Sequence, residues 1–321
     1  MKDNIYKSVN IMNVENDFLE ESLRKSEYSN EEITNIIKGL KEEKLTTFRI
    51  NKIKCKDKKE LLDTLDNLGL KYTEYKDIKD AYILDNYRIK DGFDSKTGLR
   101  IEKMAFYKNG EIYVQSLSSM LPVIALEPHE NENILDMCAA PGSKTTMIQS
   151  ICNNKVNLTA VELHKDRFEK LKYNLDIQGA NALVFNQNAL DLDDMFKFDK
   201  ILLDVPCSGS GTLNINDNKY ENYFTKELID KCVKTQKKLI KKAYKLLKND
   251  GILIYSTCSM LKAENEDIID YARQNGFKID FCKIKNEHKK WSEGSSVNEG
   301  VYIKIFPDKF HEGFFVAKLK K

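Results

Sequence analysis

Apolar positions in the first hundred residues recur in short registers of changing period. Ser29-Asn30-Glu31-Glu32 opens a helix, with Ile33, Ile36, Ile37 and Leu40 at helical spacing. Thr46–Ile50 reads as a strand. Leu61, Leu62, Leu65 and Leu68, stopped by Gly69, read as a second helix. Such material predicts a small α/β module over residues 1–105. Beyond it the pattern turns regular. Apolar runs at 133–137, 158–162, 182–185, 200–204 and 251–256 predict strands. Helical stretches ending at Ile151 and spanning 165–178, 225–247 and 264–274 separate or follow them, and 277–281 and 313–317 close the series as strands. Strands alternating with helices predict right-handed βαβ units and a mostly parallel, doubly wound sheet over residues 106–321. Such sheets bind ligands at the carboxyl ends of their strands, so the loops after Met137, Glu162, Asp204 and Ser256 carry the interest.

Composition narrows the class. Among 321 residues, 52 are basic and 50 acidic, so net charge is +2 and nucleic-acid binding by bulk attraction is excluded. Any such binding needs a local patch. No window reaches the ~20 apolar residues of a membrane span, and the first residues lack the apolar core of a signal peptide. The seven cysteines are Cys55, Cys138, Cys152, Cys207, Cys232, Cys258 and Cys282. None stands in a Cys-x-x-Cys pair, which disfavours a zinc ribbon or a disulfide scaffold. The expectation is a metal-free, membrane-free, cytoplasmic monomer in which a special cysteine is catalytic.

Four loops carry candidate chemistry. Asp136–Thr145 (DMCAAPGSKT) is a small-residue turn at a helix start, where backbone N–H groups can approach a ligand. It is not a P-loop, because Ser143 separates Gly142 from Lys144. Glu162 ends the second strand, where a carboxylate can accept both ribose hydroxyls. Alone it reads as a solvated strand-end acid; with the loop it points to a nucleoside-bearing cofactor. Lack of a further phosphate clamp favours S-adenosylmethionine over NAD. Asp204–Gly211 (DVPCSGSG) follows the next strand, and Pro206 ends it because proline cannot donate to a ladder. Tyr255–Met260 (YSTCSM) adds a second thiol. Either cysteine alone reads as a small buried hydrophobe; two thiols in polar turns at adjacent strand ends do not.

These motifs, in this order, resemble the Sun/Fmu-type (Nop2/Sun) RNA cytosine-5 methyltransferases. Tyr113–Pro122 (YVQSLSSMLP), Val161-Glu162-Leu163, Glu264-Asn265-Glu266 and Glu312–Ala317 (EGFFVA) extend the match over about 110–321, and Thr47–Lys52 (TFRINK) carries it more weakly upstream. The resemblance implies a Rossmann-like class I methyltransferase domain that uses S-adenosylmethionine. It implies Cys258 as the nucleophile, Cys207 as the group that removes the carbon 5 proton, Asp204 at the ring edge and Lys144 beside them. It implies cofactor contacts from Cys138, Ala139, Ala140, Pro141, Gly142, Ser143, Lys144, Glu162, Arg167, Asn188 and Asp204. Asn188 stands where the family usually carries Asp, keeping an acceptor without the charge, and Ser143 replaces a common Gly. The implied substrate is RNA, ribosomal RNA first and transfer RNA second. Two rivals are a DNA cytosine-5 methyltransferase, whose Pro-Cys thiol is the nucleophile, and a catalytically silent RNA-binding or ribosome-assembly factor. The second thiol argues against the former and the complete set of reactive residues against the latter. The N-terminal module is expected to bind RNA through Arg49, Lys52, Lys54 and Lys56. The lysines crowding 231–248 read as the solvated face of an amphipathic helix.

Overall fold

The computed structural model of the protein describes residues 17–88, 92–280, 296–298 and 301–321. The first sixteen residues, Phe281 and Cys282 lie outside the described residues. Helices α1 (Asp17–Lys25) and α2 (Asn30–Lys41) come first. The Ser29 hydroxyl accepts the Glu32 N–H and the Glu32 carboxylate accepts the Ser29 N–H at 2.8 Å, a capping box that satisfies two donors of the first turn. The apolar stripe of this helix pair needs a cover. It finds one in the segments beyond the larger sheet: Leu19, Leu23, Ile33, Ile36 and Leu40 pack on Leu213, Ile215, Phe224, Met260, Leu261 and Phe306.

The small sheet follows. It runs through β1 (Thr46–Ile50), α3 (Lys58–Asn67), β2 (Tyr72–Glu74), β3 (Ala81–Leu84), a short pair β4 (Tyr87–Arg88) and β5 (Phe93–Asp94), α4 (Ala105–Lys108) and β6 (Ile112–Val114). Strands order β2-β3-β1-β6, all antiparallel. Its fourth strand therefore comes from beyond residue 105. All five residues of β1 are buried because the strand is covered on both faces. Phe48 and Ile50 join Leu61, Leu65 and Tyr82 on one side. Thr47 and Arg49, one position out of phase, point the other way to Gln115 and Thr146.

The larger part contains α5 (Leu117–Leu126), β7 (Asn133–Asp136), α6 (Ser143–Ile151), β8 (Asn157–Glu162), α7 (Lys165–Gln178), β9 (Leu183–Asn186) and β10 (Phe198–Asp204). It continues with α8 (Lys226–Leu246), β11 (Leu247–Thr257), α9 (Glu266–Gln274), β12 (Lys278–Asp280), β13 (Ser296–Asn298), β14 (Tyr302–Ile305) and β15 (Phe314–Lys320). The path is β13-β14-β15-β11-β10-β7-β8-β9, with β12 also on β15. The strands from β11 to β9 are parallel, and those beyond β11 antiparallel. Alternate side chains serve opposite cores, as a doubly covered sheet requires. Ile134, Leu158, Leu202 and Ile254 pack with α5 and α6, whereas Leu135, Val161, Ile201, Leu203 and Leu253 pack with α8 and α9. Full burial of each contributes roughly 1.5–3 kcal/mol. Helix α5 has no amphipathic period to read, because it is buried on nearly every side.

Topology fixes where a ligand goes. From β7 the chain winds outward through β8 and β9, then returns to β10 on the other side of β7. The loops after Asp136 and Asp204 leave in opposite directions and open a cleft at this switch point. Among the boundaries that differ from expectation, β11 begins at Leu247 and not at 251, and in place of a helix from 264, Lys262–Glu264 forms a 3-10 turn with α9 starting at Glu266. That turn aims the Glu264 side chain inward.

Candidate active site

The first wall of the cleft is the turn between β7 and α6. Gly142 holds φ +102°, and a Cβ there would meet Leu171 Cδ1 at 3.0 Å, so only glycine fits. Ala139 and Ala140 lie buried against Leu171 and Leu175 of α7. The Pro141 carbonyl accepts Asn174 Nδ2 at 2.7 Å, and the Ser143 carbonyl accepts Arg49 Nη2 at 3.1 Å. Asp136 accepts Thr145 Oγ1 at 2.7 Å through Oδ2, while its buried Oδ1 has no partner among the described residues. Burial pushes its carboxyl up to about 6. The Cys138 thiol in the same wall is also pushed up by burial, so it keeps its proton.

Glu162 ends β8 with 3% exposure. Its Oε1 accepts the His164 N–H at 2.9 Å, and Arg167 Nη1 stands 3.5 Å from its Oε2. Arg167 Nη2 also donates to the Ala140 carbonyl at 2.6 Å, tying Glu162 to the first turn. Asn188 uses its Oδ1 to cap the following 3-10 turn, accepting the Leu190 N–H at 3.0 Å. That cap occupies the acceptor that Asn188 was expected to offer the cofactor.

The second wall carries the thiols. Asp204 and Ser256 are register partners on the parallel strands β10 and β11. Cys207 and Cys258 follow within a few residues, and their Sγ atoms lie 3.3 Å apart. Asp204 Oδ1 accepts Ser256 Oγ at 2.6 Å, and Oδ2 pairs with Lys144 Nζ at 2.8 Å. Lys144 also donates to Ser119 Oγ at 2.8 Å and lies 5.7 Å from the Phe314 ring centroid. Burial alone would lower Lys144; the Asp204 carboxylate outweighs it and holds the ammonium above its ordinary value. The hydrogen bond with Cys258, and then burial, push the Cys207 thiol well up. The Gly211 N–H donates to the Cys258 carbonyl at 2.9 Å, and the Gly313 N–H to the Gly211 carbonyl at 2.8 Å. A Cβ on Gly211 would come 2.3 Å from the Gly313 oxygen, so this close approach of the C-terminal tail requires glycine.

Residues 123–320 match the family model described as 16S rRNA methyltransferase RsmB/F. The chain belongs to this family. Ribosomal RNA small subunit methyltransferase F of Vibrio campbellii is 35% identical over 224 residues, covering 68% of this chain and 46% of that protein. Its counterpart in Shewanella piezotolerans is 36% identical over 246 residues, covering 74% and 50%. The chain spans about half the length of the curated relatives it matches. The crystal structure of a methyltransferase homolog protein from Pyrococcus horikoshii superposes with a TM-score of 0.75 at 27% identity, covering 95% of this chain and 99% of that one.

Enzymes of the RsmB/F family take their methyl group from S-adenosylmethionine, and the first wall fits that molecule. It offers a buried carboxylate oxygen without a donor for a cationic ligand, a second carboxylate at the neighbouring strand end for a diol, and small residues between them. Ser119 and Ser256, which hold Lys144 and Asp204, stood in the sequence only inside the quoted motifs Tyr113–Pro122 and Tyr255–Met260, with no role of their own, because a serine's partner is set by the fold. Glu264 likewise stood only inside a motif. Arg49 is a correction. It is 3% exposed, stacks 4.9 Å from the Tyr113 centroid and donates to Gln115 Oε1, Ser143 and Thr146, so it takes no part in a solvent-facing patch. The alternation of β1 turned it inward. Lys52, Lys54 and Lys56 are exposed. On α8, Lys231, Lys234 and Lys238 are exposed, whereas Lys242 and Lys245 pair with Asp194 and Lys237 and Lys241 lie over Tyr271.

Proposed function

We propose that this chain transfers the methyl group of S-adenosylmethionine to carbon 5 of a cytosine in ribosomal RNA. The observation that carries the reading is the 3.3 Å pair of Cys207 and Cys258 beside the Asp204–Lys144 ion pair. Ribosomal RNA is preferred to transfer RNA because the matched relatives are named as ribosomal RNA methyltransferases. The same reading takes the chain to act as a monomer in the cytoplasm, where the bacteria of the matched relatives keep their ribosomal RNA.

Cytosine carbon 5 is a poor nucleophile until carbon 6 is attacked. The Cys258 thiolate adds at carbon 6 and makes carbon 5 enamine-like, splitting one difficult step into two easier ones. When bound, the cofactor supplies an electrophilic methyl group. Asp204, aligned by Ser256 and Lys144, hydrogen-bonds the ring edge near nitrogen 3 and stabilises charge there. Lys144 sets that carboxylate and adds positive charge beside the thiols. Cys207 takes the carbon 5 proton as its thiolate, and elimination then returns Cys258. On the other wall, the 138–143 turn, Glu162, Arg167 and Asn188 hold the cofactor, with Arg167 acting through Glu162 and Ala140. The target base must leave its stack to reach the pocket. We assign the RNA footprint to the N-terminal module of residues 1–105, through Lys52, Lys54 and Lys56.

The test is a denaturing gel of protein incubated with cofactor and 16S rRNA transcribed in vitro. Cys207→Ala still attacks and methylates but cannot release, so a denaturant-resistant RNA–protein band is expected. Cys258→Ala cannot attack and gives none. Circular dichroism and cofactor calorimetry accompany both variants. The reverse pattern would exchange the roles of the thiols and favour the Pro-Cys nucleophile of DNA enzymes.

A further inference from the structure

We propose that Glu264 is the positioning residue that sets the distance between the two thiols, holding both thiol-bearing loops with one buried carboxylate. The proposal rests on the reading given above. Glu264 is 0% exposed, so it does not touch a substrate in the cleft. Each of its oxygens is engaged twice. Oε1 accepts the Ser208 N–H at 2.8 Å and Gln236 Nε2 at 3.2 Å. Oε2 accepts the Ser208 and Ser259 hydroxyls, each at 2.5 Å. Ser208 directly follows Cys207 and Ser259 directly follows Cys258. One carboxylate thus grips the residue next to each sulfur.

The surrounding bonds repeat the same logic. Gln236 of α8 donates to the Pro206 carbonyl at 3.0 Å, on the other side of Cys207. Ser210 Oγ lies 3.0 Å from Ser259 Oγ and accepts the Met260 N–H at 2.8 Å. Asn265, beside Glu264 in sequence, accepts the Thr257 hydroxyl at 2.6 Å and donates to the Ser259 carbonyl at 2.8 Å. The Glu264 carbonyl accepts Tyr255 Oη at 2.5 Å, which fixes the turn to β11. Among the described residues Glu264 has no cationic partner, so hydroxyl and amide donors hold it. That is the cost of a device whose partners must all be short. A lysine or arginine reaching the same place would add a competing charge beside two thiols.

Two measurements test this. The first needs no RNA: phenylarsine oxide bridges two neighbouring thiols, forming two sulfur–arsenic bonds and releasing water. Wild type should take up one arsenical at the Cys207–Cys258 pair, lost in Cys207→Ala and Cys258→Ala. In Glu264→Ala the loops separate and the bridge should weaken by about tenfold or more, because its strength follows the effective concentration of one thiol at the other. Glu264→Gln keeps the volume and the acceptor toward Ser208 and Gln236, so it should recover part of the loss. The second is methyl transfer to 16S rRNA transcribed in vitro. Glu264→Ala should lower kcat by about 10²-fold, the effect of an ångström-scale misplacement, with KM for S-adenosylmethionine unchanged and Glu264→Gln intermediate. If Glu264→Ala fails to fold, Glu264→Gln and Ser259→Ala decide, and each must bridge more weakly than wild type. Wild-type arsenical affinity in the folded variants overturns the proposal. A wild-type protein that bridges the arsenical but never methylates RNA overturns the functional reading and leaves the arsenical comparison to judge Glu264.

Discussion

Replacing Lys144 with Met removes the ammonium that faces Asp204 while keeping a side chain of similar length. The Lys144 and Asp204 side chains are 10% and 27% exposed, and their charged atoms are 2.8 Å apart. At an effective dielectric constant of about 20, two charges at that separation attract by about 6 kcal/mol. Desolvating the lysine offsets much of this, and water reaching Asp204 offsets more. A net coupling of about 2–3 kcal/mol is what remains. A double-mutant cycle isolates it. Asp204→Asn is the matching change, because the amide oxygen can still accept the Ser256 hydroxyl. Urea unfolding followed by circular dichroism should show Lys144→Met alone losing about 3 kcal/mol, since it strands a carboxylate in a half-buried site. The double variant should lose about 2–3 kcal/mol less than the sum of the singles. Additivity within about 0.5 kcal/mol would refute the reasoning, because residues that hold each other must couple.

The remaining expectations concern the two walls and the RNA surface. Glu162→Ala should weaken S-adenosylmethionine binding by about 1–3 kcal/mol in calorimetry, the range for lost hydrogen bonds to a charged group; unchanged affinity removes Glu162 from the site. Release of the RNA adduct needs the Cys207 thiolate, and burial with nearby Glu264 still raises that thiol once Cys258 is engaged. Adduct decay in a quenched gel should therefore quicken with rising pH, tenfold per unit below the raised value, and a flat profile up to pH 9 excludes Cys207 as the base. Changing Lys52, Lys54 and Lys56 to Gln should weaken RNA binding and flatten its salt dependence by about 0.7 per lost phosphate contact on single strands. An unchanged slope in filter binding moves the footprint elsewhere.

The chain by itself determined the alternating elements, because each amphipathic strand and helix writes its period into neighbouring residues. The β7–α6 turn and the two thiol loops were legible because each is a continuous stretch whose glycine, proline or cysteine content has no packing explanation, and Glu162 because it stands at a strand end beside that turn. Helix α5 was not legible as an element, since burial on nearly every side leaves no polar face to mark a period. Nor was the inward turn of Arg49, which strand alternation and the neighbouring α6 decided together. The small sheet closes only with β6, whose pairing with β1 spans more than sixty residues of chain. Tertiary structure alone brought Cys207 to 3.3 Å from Cys258, set Ser119 and Ser256 behind Lys144 and Asp204, and gathered four donors onto Glu264. Local sequence carries no record of such distances, because they depend on which strands become neighbours and on the register in which they pair.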